Sequence, residues 1–247
     1  RTTVTSIRTE GNRLVAAANC DFDGELERLG RLGIRVIGLH DDDYPARLRT
    51  IYDPPAVLFV KGTLLPEDNQ AIAIVGSRRA SPYGRHVAAE LAAGLAEHGF
   101  SVVSGLALGA DAAAHEGALR AGGRTLAVLG GGVDIIYPPE HAALYQRITA
   151  SGAVISEAPP GAPSTKSSFP IRNRIISGLS VGVVVVEAPE KSGALLTADI
   201  AAEQIQRAMR EIDDAQQAKD QRESARHHEQ QRCEGQTVEN LKEAHAL

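Results

Sequence analysis

The residues best equipped for chemistry are five cations, Arg78, Arg79, Lys166, Arg172 and Arg174, with Phe169 set among the last three. A guanidinium presents a planar fork of donors that matches phosphate oxygens two at a time. An aromatic ring offers a face on which an unpaired base stacks. Cations with an interleaved aromatic therefore suit single-stranded nucleic acid. A plainer alternative has Arg172 and Arg174 paired with Glu157 and Glu187 while Phe169 plugs the core. Each arginine alone is more often structural; the cluster as a whole favours contact with nucleic acid.

Other constellations are thinner. Asp111 and His115 stand four apart, on one face of a helix, where they can share a proton or a metal. No third ligand at metal spacing accompanies them, so a helix N-terminal Asp and a packed His is the better reading. Ser104, Ser156 and Ser192 lack the G-x-S-x-G setting of a hydrolase nucleophile. Glu157 and Glu187 fall at strand ends, but nothing in the sequence sets their separation. Gly76 is followed by Ser77-Arg78 rather than the G-x-G-x-x-G of a dinucleotide site, and no G-x-x-x-x-G-K-[ST] loop occurs. Neither NAD nor ATP is expected, no cofactor or metal is implied, and no enzyme is read here.

These side chains need a scaffold. Apolar, β-branched runs recur at 71–75, 100–103, 125–129, 153–155 and 181–186, separated by Ala-rich or amphipathic stretches at 83–98, 111–121, 139–150 and 193–204. Strands apolar on both faces, alternating with helices, predict an α/β, Rossmann-like, doubly wound and mainly parallel sheet. In such sheets ligands bind beyond the carboxyl ends of the strands. The loops there hold Gly76-Ser77-Arg78-Arg79, Ser104-Gly105, Gly130-Gly131-Gly132, Lys166 through Arg174 and Ser192-Gly193. Glycine and helix N-termini expose backbone N–H groups, so several such loops on one edge make an anion-binding rim.

The whole chain of 247 residues is 43% hydrophobic, 23% charged and 4% aromatic, long enough for one sizeable domain and a smaller piece. Its 26 basic and 31 acidic residues give a formal net charge of -5, which excludes a surface coated in positive charge but not a local basic groove. Two distant cysteines, Cys20 and Cys233, form no disulfide framework and fit a reducing, cytoplasmic setting. No apolar run reaches the roughly 18 residues of a membrane span. Residues 1–42 read as a remnant or linker, 43–204 as the main domain opened by a leading segment at 43–70, and 205–247 as a polar helical or disordered tail.

The motifs Ala73-Ile74-Val75-Gly76-Ser77-Arg78, Val103 through Asp111 with His115, Phe169 through Ile176, and Glu187-Ala188 with Ser192 through Ala198 resemble the bacterial DprA (Smf) family of DNA-processing proteins. Tyr44-Pro45, Asp53-Pro54-Pro55 and Lys61-Gly62 match the same family, so the likeness spans Asp43 to Gln204. It implies an extended Rossmann fold that binds single-stranded DNA, commonly as a homodimer. In such proteins the strand is protected and handed to the RecA recombinase during natural transformation, without turnover. The family's DNA pocket maps onto Gly76, Ser77, Arg78, Lys166, Phe169, Arg172, Asn173 and Arg174. The family's helical N-terminal domain is not recognisable before Asp43. After Glu203 its Gly-Arg and further apolar strand are missing, so the sheet is expected to lack its last strands. The competing expectation is a nucleotide phosphoribohydrolase of the lysine-decarboxylase-like group, for which Gly130-Gly131-Gly132 is a partial match only.

Overall fold

The computed structural model describes residues 22–190 and 192–206 of the chain. Most of the expected tail at 205–247, and residues 1–21 of the expected remnant, lie outside them. The elements run α1 (Phe22–Arg31), β1 (Ile34–Gly38), α2 (Ala46–Arg49), β2 (Val57–Gly62), a 3-10 turn (Pro66–Asn69) and β3 (Ala71–Gly76). They continue with α3 (Pro82–Glu97), β4 (Ser101–Ser104), α4 (Ala110–Arg120), β5 (Thr125–Val128), a 3-10 turn (Pro139–His141) and α5 (Ala142–Ser151). The last are β6 (Ala153–Ser156), α6 (Ser168–Gly178), β7 (Gly182–Val186) and a helix α7 beginning at residue 193. The compact unit ends at Ile200. Among the described residues, no helix is long and apolar enough to cross a membrane.

One seven-stranded sheet has the order β1-β2-β6-β5-β4-β3-β7. The five strands from β6 to β7 in that order are parallel, whereas β1–β2 and β2–β6 are antiparallel. Side chains alternate across it as a pleated backbone requires. Ala71, Ala73, Val75, Val103, Leu126, Val128, Ala153 and Ile155 pack into one core with Leu48, Ile175, Ile176 and Leu179 of α2, α6 and the turn after α6. The intervening Ile74 and Val102 meet Ala88, Ala92, Ala110, Ala114 and Ala118 of α3 and α4, while Ala127 and Val154 meet Leu144, Tyr145 and Ile148 of α5. Both faces are therefore covered, which is why these strands carry no polar alternation. Small residues let α3 and α4 approach closely: a Cβ at Gly117 would run into the Ala89 backbone.

Helices α3 to α5 lie on one face as the chain steps from β3 outward to β6. Helix α6 then returns across the other face to place β7 on the far side of β3. The direction of winding thus reverses between β3 and β7, and a crevice opens there at the carboxyl ends of the strands. Upstream, the sheet starts before the boundary expected at 43. Ile34–Gly38 pairs antiparallel with Val57–Lys61 through the register Ile34↔Lys61. Its alternation is weak in sequence, and it becomes a strand through pairing with β2 rather than through local propensity. Among the described residues β7 pairs only with β3, and Val183, Val184 and Val185 are half-buried.

Candidate nucleic-acid interface

A cleft of about 400 Å³ occupies the crevice between β3 and β7. Its wall includes Gly76, Ser77, Arg78, Phe169, Arg172 and Asn173. Helical spacing explains the second half of that set: 169, 172, 173 and 176 share one face of α6, and Ile176 also lines the cleft. The same geometry sends Arg174, two positions on from Arg172, to the other side of the helix. There its guanidinium donates to the Glu157 carboxylate at 2.7 and 2.8 Å and lies 3.3 Å from Asp53. For Arg174 the plainer reading holds, and it leaves the group around the cleft. Lys166 is exposed in the turn before α6 and does not line the cleft either.

Arg172 pairs with neither Glu157 nor Glu187 among the described residues. Only 7% of the residue is exposed. Its Nη1 donates to the Val128 carbonyl at 2.9 Å, and its Nε has no hydrogen-bond partner among the described residues. Glycine at 105 makes the space, since a Cβ there would overlap the guanidinium. The nearest opposing charge is Asp111, also buried, whose carboxylate accepts the Gly105 N–H at 3.2 Å. Burial pushes the Asp111 carboxyl up from the usual range, with the Arg172 charge pulling it back. Arg172 thus sets a buried positive charge in the wall of the cleft, with its unpaired Nε enclosed by the protein, and that charge favours an incoming anion.

Glu187 serves elsewhere. Its carboxylate accepts from the Ser81 backbone N–H at 2.9 and 3.0 Å and from the Ser81 hydroxyl at 2.6 Å. Its carbonyl accepts the Ser77 N–H at 2.8 Å. Both bonds moor the Ser77–Ser81 loop, which carries Arg78 and Arg79, to the end of β7. Gly76 permits that close approach, since a Cβ there would strike the Val186 carbonyl. Arg78 and Arg79 are exposed and have no carboxylate partner within ion-pair distance among the described residues. The Arg78 guanidinium sits 4.7 Å from the Phe169 ring centroid and Arg172 lies 6.0 Å from it. Phe169 is thus half-exposed beneath a cation rather than buried as a plug.

Asn173 does structural work as well: its Nδ2 donates to the Gly193 carbonyl at 3.2 Å, tying α6 to the start of α7. Ser192 caps α7 by accepting the Leu195 N–H at 3.3 Å. Ser192, Gly193, Ala194 and Thr197 therefore bring a helix N-terminus to the cleft wall. Ser192-Gly193 belong to a rim loop expected from the sequence without being counted as DNA contacts, while Ala194, Thr197 and Asp111 carry no expected DNA-binding role. The adjacency of β3 and β7 brings that rim loop beside the Ser77–Arg79 loop in one cleft, and strand order is not written in a single sequence.

His115 is a core residue. Its Nδ1 lies 2.7 Å from the Thr125 hydroxyl, which in turn donates to the Val102 carbonyl at 2.7 Å. The hydroxyl proton is committed to Val102, so the imidazole Nδ1–H donates, and burial lowers the His115 pKa to about 3. Asp111 and His115 thus do not form a shared proton or metal site. Gly130-Gly131-Gly132, the partial enzyme motif, packs against residues 159–168 and does not line the cleft.

Residues 35–244 match the family model for DNA recombination-mediator protein A. The chain belongs to this family. The match begins upstream of Asp43 and runs through the segment in which the sequence departs from the family's usual final strand. A Synechocystis sp. protein named Smf is 47% identical over 167 residues, 66% of this chain and 42% of its own length. The Bacillus subtilis DNA processing protein DprA is 45% identical over 173 residues, 70% of this chain and 58% of its own. The chain spans about half the length of the curated relatives it matches. Among solved structures, DprA from Streptococcus pneumoniae superposes with a TM-score of 0.68 at 42% identity, covering 74% of this chain and 64% of that one. DprA from Helicobacter pylori, described for its single-stranded DNA binding mode, gives 0.62 at 32% identity, with 68% and 75% covered.

Proposed function

We propose that the cleft between β3 and β7 binds single-stranded DNA, and that the protein is a DNA-processing protein of recombination and natural transformation. One observation carries this reading: Arg78 and Arg172 converge with Phe169 on one cleft, with no carboxylate partner except the buried Asp111. Phosphates would meet Arg78, Arg79 and the N–H groups at the start of α7, with the buried Arg172 charge behind them. An unstacked base would meet Phe169 or the Arg78 guanidinium plane above it. The H. pylori relative's described single-stranded DNA binding supports the same reading. A stacked duplex offers no free base face, so single strands are preferred.

On this reading nothing turns over: the protein holds the strand, protects it and passes it to a RecA-type recombinase in the cytoplasm, working as a homodimer. Lys166, exposed at the head of α6, would meet backbone phosphate beyond the cleft. Arg174 would act by holding α6 against Glu157 rather than by touching DNA. Fluorescence-anisotropy titration of a labelled dT oligonucleotide against its duplex form tests the proposal. Binding of the single strand well above that of the duplex is expected, and equal affinity for both would reject it.

A further inference from the structure

The loop between β5 and the Pro139–His141 turn displays an aromatic ring that the reading above leaves unused. Tyr137 is 50% exposed. Its loop is nonetheless firmly held. The Gly161 N–H donates to the Asp134 carboxylate at 2.8 Å, the Ile135 N–H to the Gly132 carbonyl at 3.0 Å, and His141 Nδ1 lies 2.9 Å from the Leu106 carbonyl. Tyr145 donates its hydroxyl proton to the Val133 carbonyl at 2.5 Å. An apolar ring held out to solvent by a pinned loop marks a surface that receives something.

What it receives follows from its neighbours. The Tyr137 and Phe169 ring centroids are 6.2 Å apart and their planes meet at 43°. Such a tilted pair touches without stacking, so neither ring is consumed by the other. A hollow of about 50 Å³ lies between them, lined by Arg78, Gly105, Leu108, Pro138 and both rings. It is too small to seat a base, so bases would have to stack on the outward faces of the rings. Arg78 thus stands beside both rings, where one phosphate would join two nucleotides.

We propose that Tyr137 is a second base-stacking platform, so that two neighbouring nucleotides of one strand are gripped, one at Phe169 and the next at Tyr137, with Arg78 on the phosphate between them. This rests on the single-stranded DNA reading of the cleft. The ligand class is an unpaired oligonucleotide of at least two residues. A free mononucleotide would use one platform only.

The test is equilibrium binding of short dT oligonucleotides to the full chain, with one abasic nucleotide moved stepwise along the strand. For the unaltered protein, abasic substitution is expected to weaken binding at two adjacent positions. Tyr137→Ala is expected to bind the intact strand at least about five-fold more weakly, to become insensitive to one of those positions, and to leave the other sensitive. Tyr137→Phe keeps the ring and is expected to bind within about two-fold of the unaltered protein. A single sensitive position, a Tyr137→Ala variant that binds normally, or a Tyr137→Phe variant as weak as Tyr137→Ala would each overturn the second platform while leaving the cleft reading intact. No binding of any single strand by the unaltered protein would instead overturn the cleft reading, and this inference with it.

Discussion

The two ends of the sheet treat the same chemical group in opposite ways. At the amino end, Arg124 has four of its five N–H groups engaged by its own chain. Its Nε and Nη2 donate to Asp68 at 3.0 and 2.8 Å, Nη1 to the Ser151 carbonyl at 2.8 Å and Nη2 also to the Thr63 carbonyl at 2.7 Å. Asp68 in turn accepts the Ser101 hydroxyl at 2.6 Å. At the carboxyl end, Arg172 is as buried as Asp68 yet keeps an unused Nε, and Arg78 lies over an aromatic ring instead of a carboxylate. A guanidinium held by four hydrogen bonds from its own chain staples the fold; an exposed one on the cleft wall with no carboxylate partner among the described residues, as Arg78 is, is available to a ligand. Arginine content or net charge would not distinguish these ends, and donor accounting does.

The comparison breaks most visibly at the amino end. Arg124→Ala leaves Asp68 buried without its cation, a change expected to cost about 3–5 kcal/mol of stability. Chemical denaturation would read that loss, while the protein that remains folded should bind single-stranded DNA as before. A similar loss in DNA affinity per folded molecule would erase the division between the ends.

Next in size is an acid effect that belongs to the core near that end. The His115 pKa lies at about 3 when folded against 6.5 for the free side chain. The unfolded chain therefore takes up a proton below pH 6.5 that the folded chain refuses. Stability is fully present above that value and falls as pH drops toward 3. Each pH unit in that window removes about 1.4 kcal/mol, so pH 5 is expected to cost about 2 kcal/mol. Unfolding curves at pH 7 and pH 5 check it, and His115→Gln should flatten the difference.

At the carboxyl end, Phe169→Ala is expected to weaken single-stranded DNA binding by about 1–3 kcal/mol and leave duplex binding alone. Anisotropy on both forms decides this. An equal loss on both would mean that the ring supports α6 rather than a base.

Much of this was legible beforehand. Strands at 71–75, 125–128 and 153–155 announce themselves because both faces are covered, so every position but Thr125 is apolar. Within the leading segment expected at 43–70, Pro45 precedes the short helix Ala46–Arg49, and Pro54-Pro55 precede the strand Val57–Gly62. Ile34–Gly38 was hidden because Arg35 and Val36 are exposed on an antiparallel edge strand whose partner lies some twenty residues away. The site was half legible. Loop position located Arg78 and Phe169, but linear proximity grouped Arg172 with Arg174, and only the helix separates them onto opposite faces. Ala194 and Thr197 joined the cleft wall once β7 stood beside β3.

The smallest effect bears most directly on the central claim that guanidinium groups left open at the carboxyl end hold DNA phosphate. The measurement is the slope of log binding constant against log salt for a dT oligonucleotide, taken for the unaltered protein, Arg78→Ala and Arg174→Ala. Loss of one phosphate contact is expected to flatten the slope by about 0.7 for Arg78→Ala, while Arg174→Ala, whose guanidinium is ion-paired with Glu157 and Asp53 away from the cleft, should keep the original slope. A slope unchanged in Arg78→Ala, or flattened equally in both variants, would contradict the account.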